Sequence, residues 1–223
     1  MTEQRRVTLT FDNGPHRDVT PMVLDELAAR DLTAWFCVIG RQLRHDDGPE
    51  LAGRILDAGH RVVNHSLTHV TPLGDDPSWD HARTEVLEMH HLLADVCGEL
   101  SERWFRPFGR GGSLGPHLFS QASLELFADL DYSVVLWNSV PRDWEDIDGW
   151  VDSALRDVST LAHTVLVLHD VPTGAMNHLP RFLDLLEQRE VDITAELPHD
   201  CVPVRQGRPT TDLTELTTAS IRE

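Results

Sequence analysis

His65 and His69 frame the run His65-Ser66-Leu67-Thr68-His69, and two imidazoles four residues apart are at a chelating spacing. On a helical turn both rings lie on one side and offer two nitrogens to one cation, a donor type that zinc accepts. The plain alternative is a pair of surface or capping histidines. Thr10-Phe11-Asp12-Asn13-Gly14-Pro15 brings two more oxygen-bearing side chains to the end of an apolar stretch. Neighbours at a strand end point in different directions, so one oxygen is free to ligate while the other handles a proton. A simple turn is the competing reading. Leu168-His169-Asp170 closes the apolar run Val165-Leu166-Val167, which sets an imidazole beside a cavity or the core. Arg106, in Arg106-Pro107-Phe108-Gly109, and Asp143, in Pro141-Arg142-Asp143-Trp144, add a cation and a carboxylate.

The elements that must position these groups alternate along the chain. Short apolar, β-branched stretches predict strands near 7–11, 33–39, 61–64, 104–106, 132–137, 164–169 and 191–195. Helical spacing of apolar residues predicts helices near 20–30, 49–58, 78–100, 116–129, 146–160 and 179–189. Gly40, Gly59 and the Asn13-Gly14-Pro15 turn punctuate them. About seven βα units result, the pattern of an α/β fold. A doubly wound sheet and a barrel share that pattern. Asp12, His65, Arg106, Asp143 and His169 each fall at or just past a strand end, which favours a barrel with its site at the C-terminal rim. Residues 1–204 read as one catalytic domain and 205–223 as a polar tail.

In order and spacing these segments resemble the five motifs of the polysaccharide deacetylases, the NodB-type carbohydrate esterases of family four. The first motif of that family is Thr-Phe-Asp-Asp-Gly-Pro, matched by Thr10 to Pro15 with Asn13 in place of the second Asp. His65 to His69 match the second in full. Arg106 to Gly109 match the third with one residue fewer around Pro107, Asp143-Trp144 the fourth, and Leu168 to Asp170 the fifth. The resemblance implies a distorted (β/α) barrel of about seven strands. It also implies one divalent metal ion, zinc first, with cobalt, nickel and manganese as alternatives. Carried over residue by residue, it makes His65, His69 and Asn13 the metal ligands, Asp12 the general base and His169 the general acid. Arg106 then pairs with Asp12, and Asp143 orients His169. Phe108 offers a backbone N–H to the oxyanion, and Gly109, Trp144 and Leu168 line a pocket for a small acyl group. The implied activity is metal-dependent removal of an acyl group, acetyl first, from an amide nitrogen of a carbohydrate or related small molecule. Arg110, in the pliable loop with Gly111-Gly112-Ser113, is a candidate for an anionic group on the substrate. Trp35, Trp137 and Cys37 read as packing.

Composition narrows the alternatives. The chain has 223 residues with 19 basic side chains against 37 acidic ones, a formal charge of -18. Such a balance excludes nucleic acid and anionic membrane as expected partners. Every basic residue is Arg; without Lys there is no Schiff-base lysine and no Walker-type phosphate loop. No 18-residue apolar run predicts a membrane span. Met1 to Arg6 lacks an apolar leader core, and Cys37, Cys97 and Cys201 are odd in number and far apart, so a cytoplasmic protein with reduced thiols is expected. Two other readings stay open: a binding module impaired by Asn13, and a mononuclear iron oxygenase built on two His and one oxygen ligand.

Overall fold

Residues 4–219 are described by the computed structural model of the chain. β1 (Arg6–Asp12) lies between two parallel neighbours because its residues are apolar on one face and small and polar on the other. Val7, Leu9 and Phe11 are fully buried against helices, with Val23, Leu27, Trp150 and Phe182 in the same core. Burying a side chain of this size contributes roughly 1.5–3 kcal/mol. Thr8, Thr10 and Asp12 face the other way, as strand alternation requires. The Thr10 hydroxyl donates to the Leu166 carbonyl at 2.8 Å, so its burial leaves no lost hydrogen bond.

The chain then runs through α1 (Val19–Ala28), β2 (Trp35–Val38), α2 (Gly48–Asp57) and β3 (Arg61–Asn64). α3 is three contiguous segments: Trp79–Ala82, a π-helical Arg83–Glu88 and Met89–Cys97. β4 (Trp104–Phe105), α4 (Gln121–Asp129), β5 (Ser133–Val134), α5 (Trp150–Thr160), β6 (His163–His169), α6 (Leu179–Gln188) and β7 (Asp192–Ile193) follow. The helix expected from Pro116 instead splits. Pro116–Leu118 is a 3₁₀ turn, and α4 restarts behind Ser120, whose side chain caps it in a reciprocal box with Ser123.

The described strands form one curled sheet in the order β6-β1-β2-β3-β4-β5, with β7 also pairing β1. β1 through β6 are parallel, so their C-terminal ends meet on one rim. Register decides what stands side by side there: Asp12 is level with His169 on β6 and with Cys37 on β2, and Asn64 is level with Val38 and with Phe105. The sheet is a half-barrel with helices outside, the fold class expected from the sequence. The segment expected as a polar tail is polar and mostly exposed, and it carries short strands. β8 (Val204–Arg205) pairs antiparallel with β5, and β9 (Arg208–Pro209) pairs with β8. Val204 and Leu213 are buried, so a few apolar residues at irregular spacing tie residues 205–219 to the sheet. Residues 220–223 lie outside the described part.

Candidate active site

Each strand end delivers one piece. β1 supplies Asp12 and Asn13. Asn13 has φ +74, a left-handed conformation that Asn tolerates better than most residues, and its side chain lines the cavity. β3 supplies His65, and the chain continues to His69 as a loop in which Ser66 (φ +71) and His69 (φ +54) are both left-handed. The two rings meet at 4.6 Å between centroids. The helical turn expected for this pair is therefore replaced by a bent loop. Non-glycine residues in this region cost of order 1–3 kcal/mol each and persist only where the surroundings hold them. β4 supplies Arg106, whose N–H donates to the Asn64 carbonyl at 2.9 Å, and then Pro107 to Gly112. The loop after β5 supplies Asp143 and Trp144, and β6 ends on His169.

These groups surround a cavity of about 250 Å³. Asp12 sits at its base, 5% exposed. Its Oδ2 accepts from Arg106 Nη1 at 3.4 Å and lies 3.6 Å from His65 Nε2. Burial alone would raise the pKa of this carboxyl. The charge of Arg106, with a smaller contribution from His169, outweighs burial and holds it below the usual range. Asp12 Oδ1 has no hydrogen-bond partner among the described residues. His169 is moved the other way. Burial opposes its charged form, but Asp143 prevails and the pKa is raised. The His169 Nδ1–H donates to Asp143 Oδ1 at 2.8 Å and the His169 N–H to Asp143 Oδ2 at 3.0 Å, while Asp143 is fully buried. Trp144 meets the His169 ring edge-on at 4.8 Å.

The two imidazoles at 65 and 69 are kept neutral. His65 Nδ1 stands 2.8 Å from the Arg106 carbonyl, which fixes the proton there and turns the Nε2 lone pair to the cavity. Burial lowers the pKa of His65, and burial, with the nearby Arg41 charge, lowers that of His69 to about 2. Asn13 Oδ1 is buried without a partner among the described residues, an orphaned acceptor aimed where a cation would neutralise it. Among the described residues no three His, Cys, Asp or Glu side chains gather as a metal site by themselves. The donor set is two neutral imidazoles and an amide oxygen, which fits a divalent cation with positions left open.

Of the residues expected from the sequence, the structure brings Asp12, Asn13, His65, His69, Phe108, Gly109, Trp144 and His169 to one cavity wall, with Arg106 and Asp143 buried directly behind Asp12 and His169. Leu168 is a correction. It is fully buried in the helix-side core, level with Phe11, because alternation along β6 turns it away from the face that carries His169. Val167 and, beyond the strand, Val171 line the cavity instead. Counting by two from His169 would have found Val167. Arg110 is a second correction: its guanidinium is ion-paired with Asp75 and does not line the cavity.

Trp137 is a third correction, since it does more than pack. It lines the cavity, its ring faces the Arg106 guanidinium at 5.3 Å, and its Nε1–H donates to the Gly112 carbonyl at 2.7 Å. Nothing in local sequence separates such a Trp from a core Trp. Trp35 does pack, edge-on against Trp104 at 4.9 Å. Asp170, buried beside His169, has its pKa pushed up to about 7 by burial. It accepts the Thr20 hydroxyl at 2.5 Å and packs so closely on Gly14 that no Cβ fits there, which is why the first turn needs that glycine.

Known proteins carry the same fold and sequence pattern. A family profile described as polysaccharide deacetylase matches residues 1–135. A chitooligosaccharide deacetylase of Sinorhizobium fredii is 36% identical over 167 residues, 74% of this chain and 71% of that protein. The crystal structure of a polysaccharide deacetylase from Bacillus cereus superposes with a TM-score of 0.71 at 25% identity, covering 91% of this chain and 97% of that one. A family 4 acetyl xylan esterase from Clostridium thermocellum, solved in complex with a cobalt ion, superposes with a TM-score of 0.68 at 23% identity over 85% of this chain and 87% of that one.

Proposed function

Because the chain belongs to the polysaccharide deacetylase family, we propose that it is a hydrolase removing an acetyl group from an amide nitrogen of a carbohydrate, with one divalent cation held by His65, His69 and Asn13. A glucosamine-type oligosaccharide is the first substrate to test, by likeness to the chitooligosaccharide deacetylase. The observation that carries the reading is the pair of opposed environments on one cavity: Asp12 held ionised by Arg106, and His169 held protonated by Asp143. A base and an acid at one site are what amide hydrolysis near neutral pH requires.

When bound, the cation supplies Lewis acidity that polarises the acyl carbonyl and acidifies water. The chain's own groups do the rest. Asp12 takes a proton from the attacking water at its unpartnered Oδ1. The Phe108 N–H, which makes no hydrogen bond among the described residues, is free to donate to the developing oxyanion. His169 passes a proton from Nε2 to the leaving nitrogen, and Asp143 keeps the ring charged until then. Trp144, Trp137 and Val167 wall the cavity against bulk water and bound the acyl group. Zinc is the proposed native ion, since imidazole suits it and an amide oxygen is an acceptable third donor.

The test is hydrolysis of N-acetylated oligosaccharides before and after chelation and zinc restoration, with Asp12→Asn beside the wild type. Metal-restored acetate release, abolished in Asp12→Asn, supports the reading. Saccharide binding without turnover by the wild type, with turnover in Asn13→Asp, would instead establish the impaired binding module. We place the protein in the cytoplasm on the strength of three free cysteines, two of them buried. No helix among the described residues is long and apolar enough to cross a membrane.

A further inference from the structure

The middle of α3, Arg83–Glu88, is π-helical. A π turn is wider than an α turn and frees carbonyls from the regular ladder, and such turns concentrate at functional sites. Here two carbonyls and one side chain of this turn reach the segment 64–68. The Glu85 carbonyl accepts the Leu67 N–H at 3.2 Å. The Val86 carbonyl accepts from Asn64 Nδ2 at 3.2 Å, and Asn64 Oδ1 in turn accepts the Ser66 N–H at 3.0 Å. The Glu85 carboxylate, 2% exposed, accepts the Thr68 N–H at 2.9 Å and the Thr68 hydroxyl at 2.6 Å. Every residue between the two imidazoles, Ser66, Leu67 and Thr68, thus has its N–H held by the π turn or through Asn64.

We infer that Glu85 is a positioning residue for the cation site, setting the mutual placement of His65 and His69 through Thr68. The inference rests on the reading that those two imidazoles hold a cation. The loop between them bends through left-handed Ser66 and His69, a shape it does not favour by itself. His65 has its own hydrogen-bonded anchor in the Arg106 carbonyl, whereas the His69 ring is only packed, against Phe108 at 3.9 Å, so its height in the site depends more on the loop. Chemistry restricts the residue type: both Thr68 groups donate to Glu85, and an apolar side chain of the same length would leave the Thr68 N–H and hydroxyl buried without an acceptor. Glu85 lies outside all five motifs, so nothing in the pattern around it announces the role.

The full chain, stripped of metal and titrated with cobalt(II), tests this. Wild type takes up one cobalt and gives a visible absorption band whose intensity reports coordination geometry. Glu85→Met and Thr68→Val are expected to weaken cobalt binding by about 10- to 100-fold, the usual cost of losing a partner behind a ligand, and to change the band. Thr68→Ser keeps the hydroxyl and restores both. Folded Glu85→Met and Thr68→Val proteins with wild-type affinity and spectrum overturn the inference. If Glu85→Met does not fold, Thr68→Val decides alone: weakened binding supports the role and wild-type values overturn it. A wild-type chain that binds no cobalt fails the cation-site reading itself, and this inference falls with it.

Discussion

Asp12 and His169 share a cavity yet are pushed in opposite directions by the charge behind each, Arg106 for one and Asp143 for the other. Because the Asp12 pKa is lowered, its basic form persists as pH falls. Because the His169 pKa is raised, its acidic form persists as pH rises. Activity is therefore expected over a broad bell, lost at low pH as Asp12 protonates and at high pH as His169 loses its proton. Asp143→Asn removes the charge that raises His169, so the alkaline limb of the kcat/KM profile should move to lower pH, with kcat down by about 10²- to 10⁴-fold; a profile with an unmoved limb would deny His169 the role of acid. At position 13 an amide stands where the family has a carboxylate. Asn13→Asp adds one negative charge to the donor set, and zinc affinity measured by calorimetry should rise at least tenfold, about 1.4 kcal/mol. These residue types and their order were legible in the sequence, because reaction chemistry constrains them directly. The pocket wall was not. Leu168 was assigned to it from motif order, whereas alternation along β6 hands that place to Val167.

The loop from Pro107 to Ser113 is shaped by what it packs against. A Cβ at Gly109 would overlap the Trp137 ring, and one at Gly112 would overlap Val140. Gly112 also has φ +87, where a side chain is strained in any case. Gly109→Ala should therefore push this loop, and the Phe108 N–H with it, off the cavity. A displacement near 1 Å costs about 10²-fold in rate, so kcat/KM should drop by that order. An unchanged kcat/KM would show that the loop does not carry an oxyanion donor. The extra flexibility read from Gly111-Gly112-Ser113 is taken up by these contacts, by the Trp137 bond to the Gly112 carbonyl and by the Arg110–Asp75 pair. No local rule on the chain joins position 137 to 112, since the two meet only because β4 and β5 are neighbours.

Across the whole molecule, the C-terminal segment completes the sheet that holds the site. Val204 is buried where β8 pairs with β5, behind the Trp137 side of the cavity. Val204→Asp places a charge there without a partner, at a cost of about 3 kcal/mol, which for a domain of this size lowers Tm by roughly 6–12 °C. Differential scanning calorimetry showing a wild-type Tm would mean that 204–219 adds nothing to the fold. The alternating βα order and the polar residues at strand ends were determined by the sequence alone, since apolar periodicity and reactive side chains are local properties. The half-barrel, the left-handed loop between His65 and His69, the π turn that grips it and the edge hairpin were decided only in three dimensions. Each depends on pairing between residues far apart in the chain, and hydrogen bonds to a distant carbonyl or carboxylate leave no period in the residues that make them.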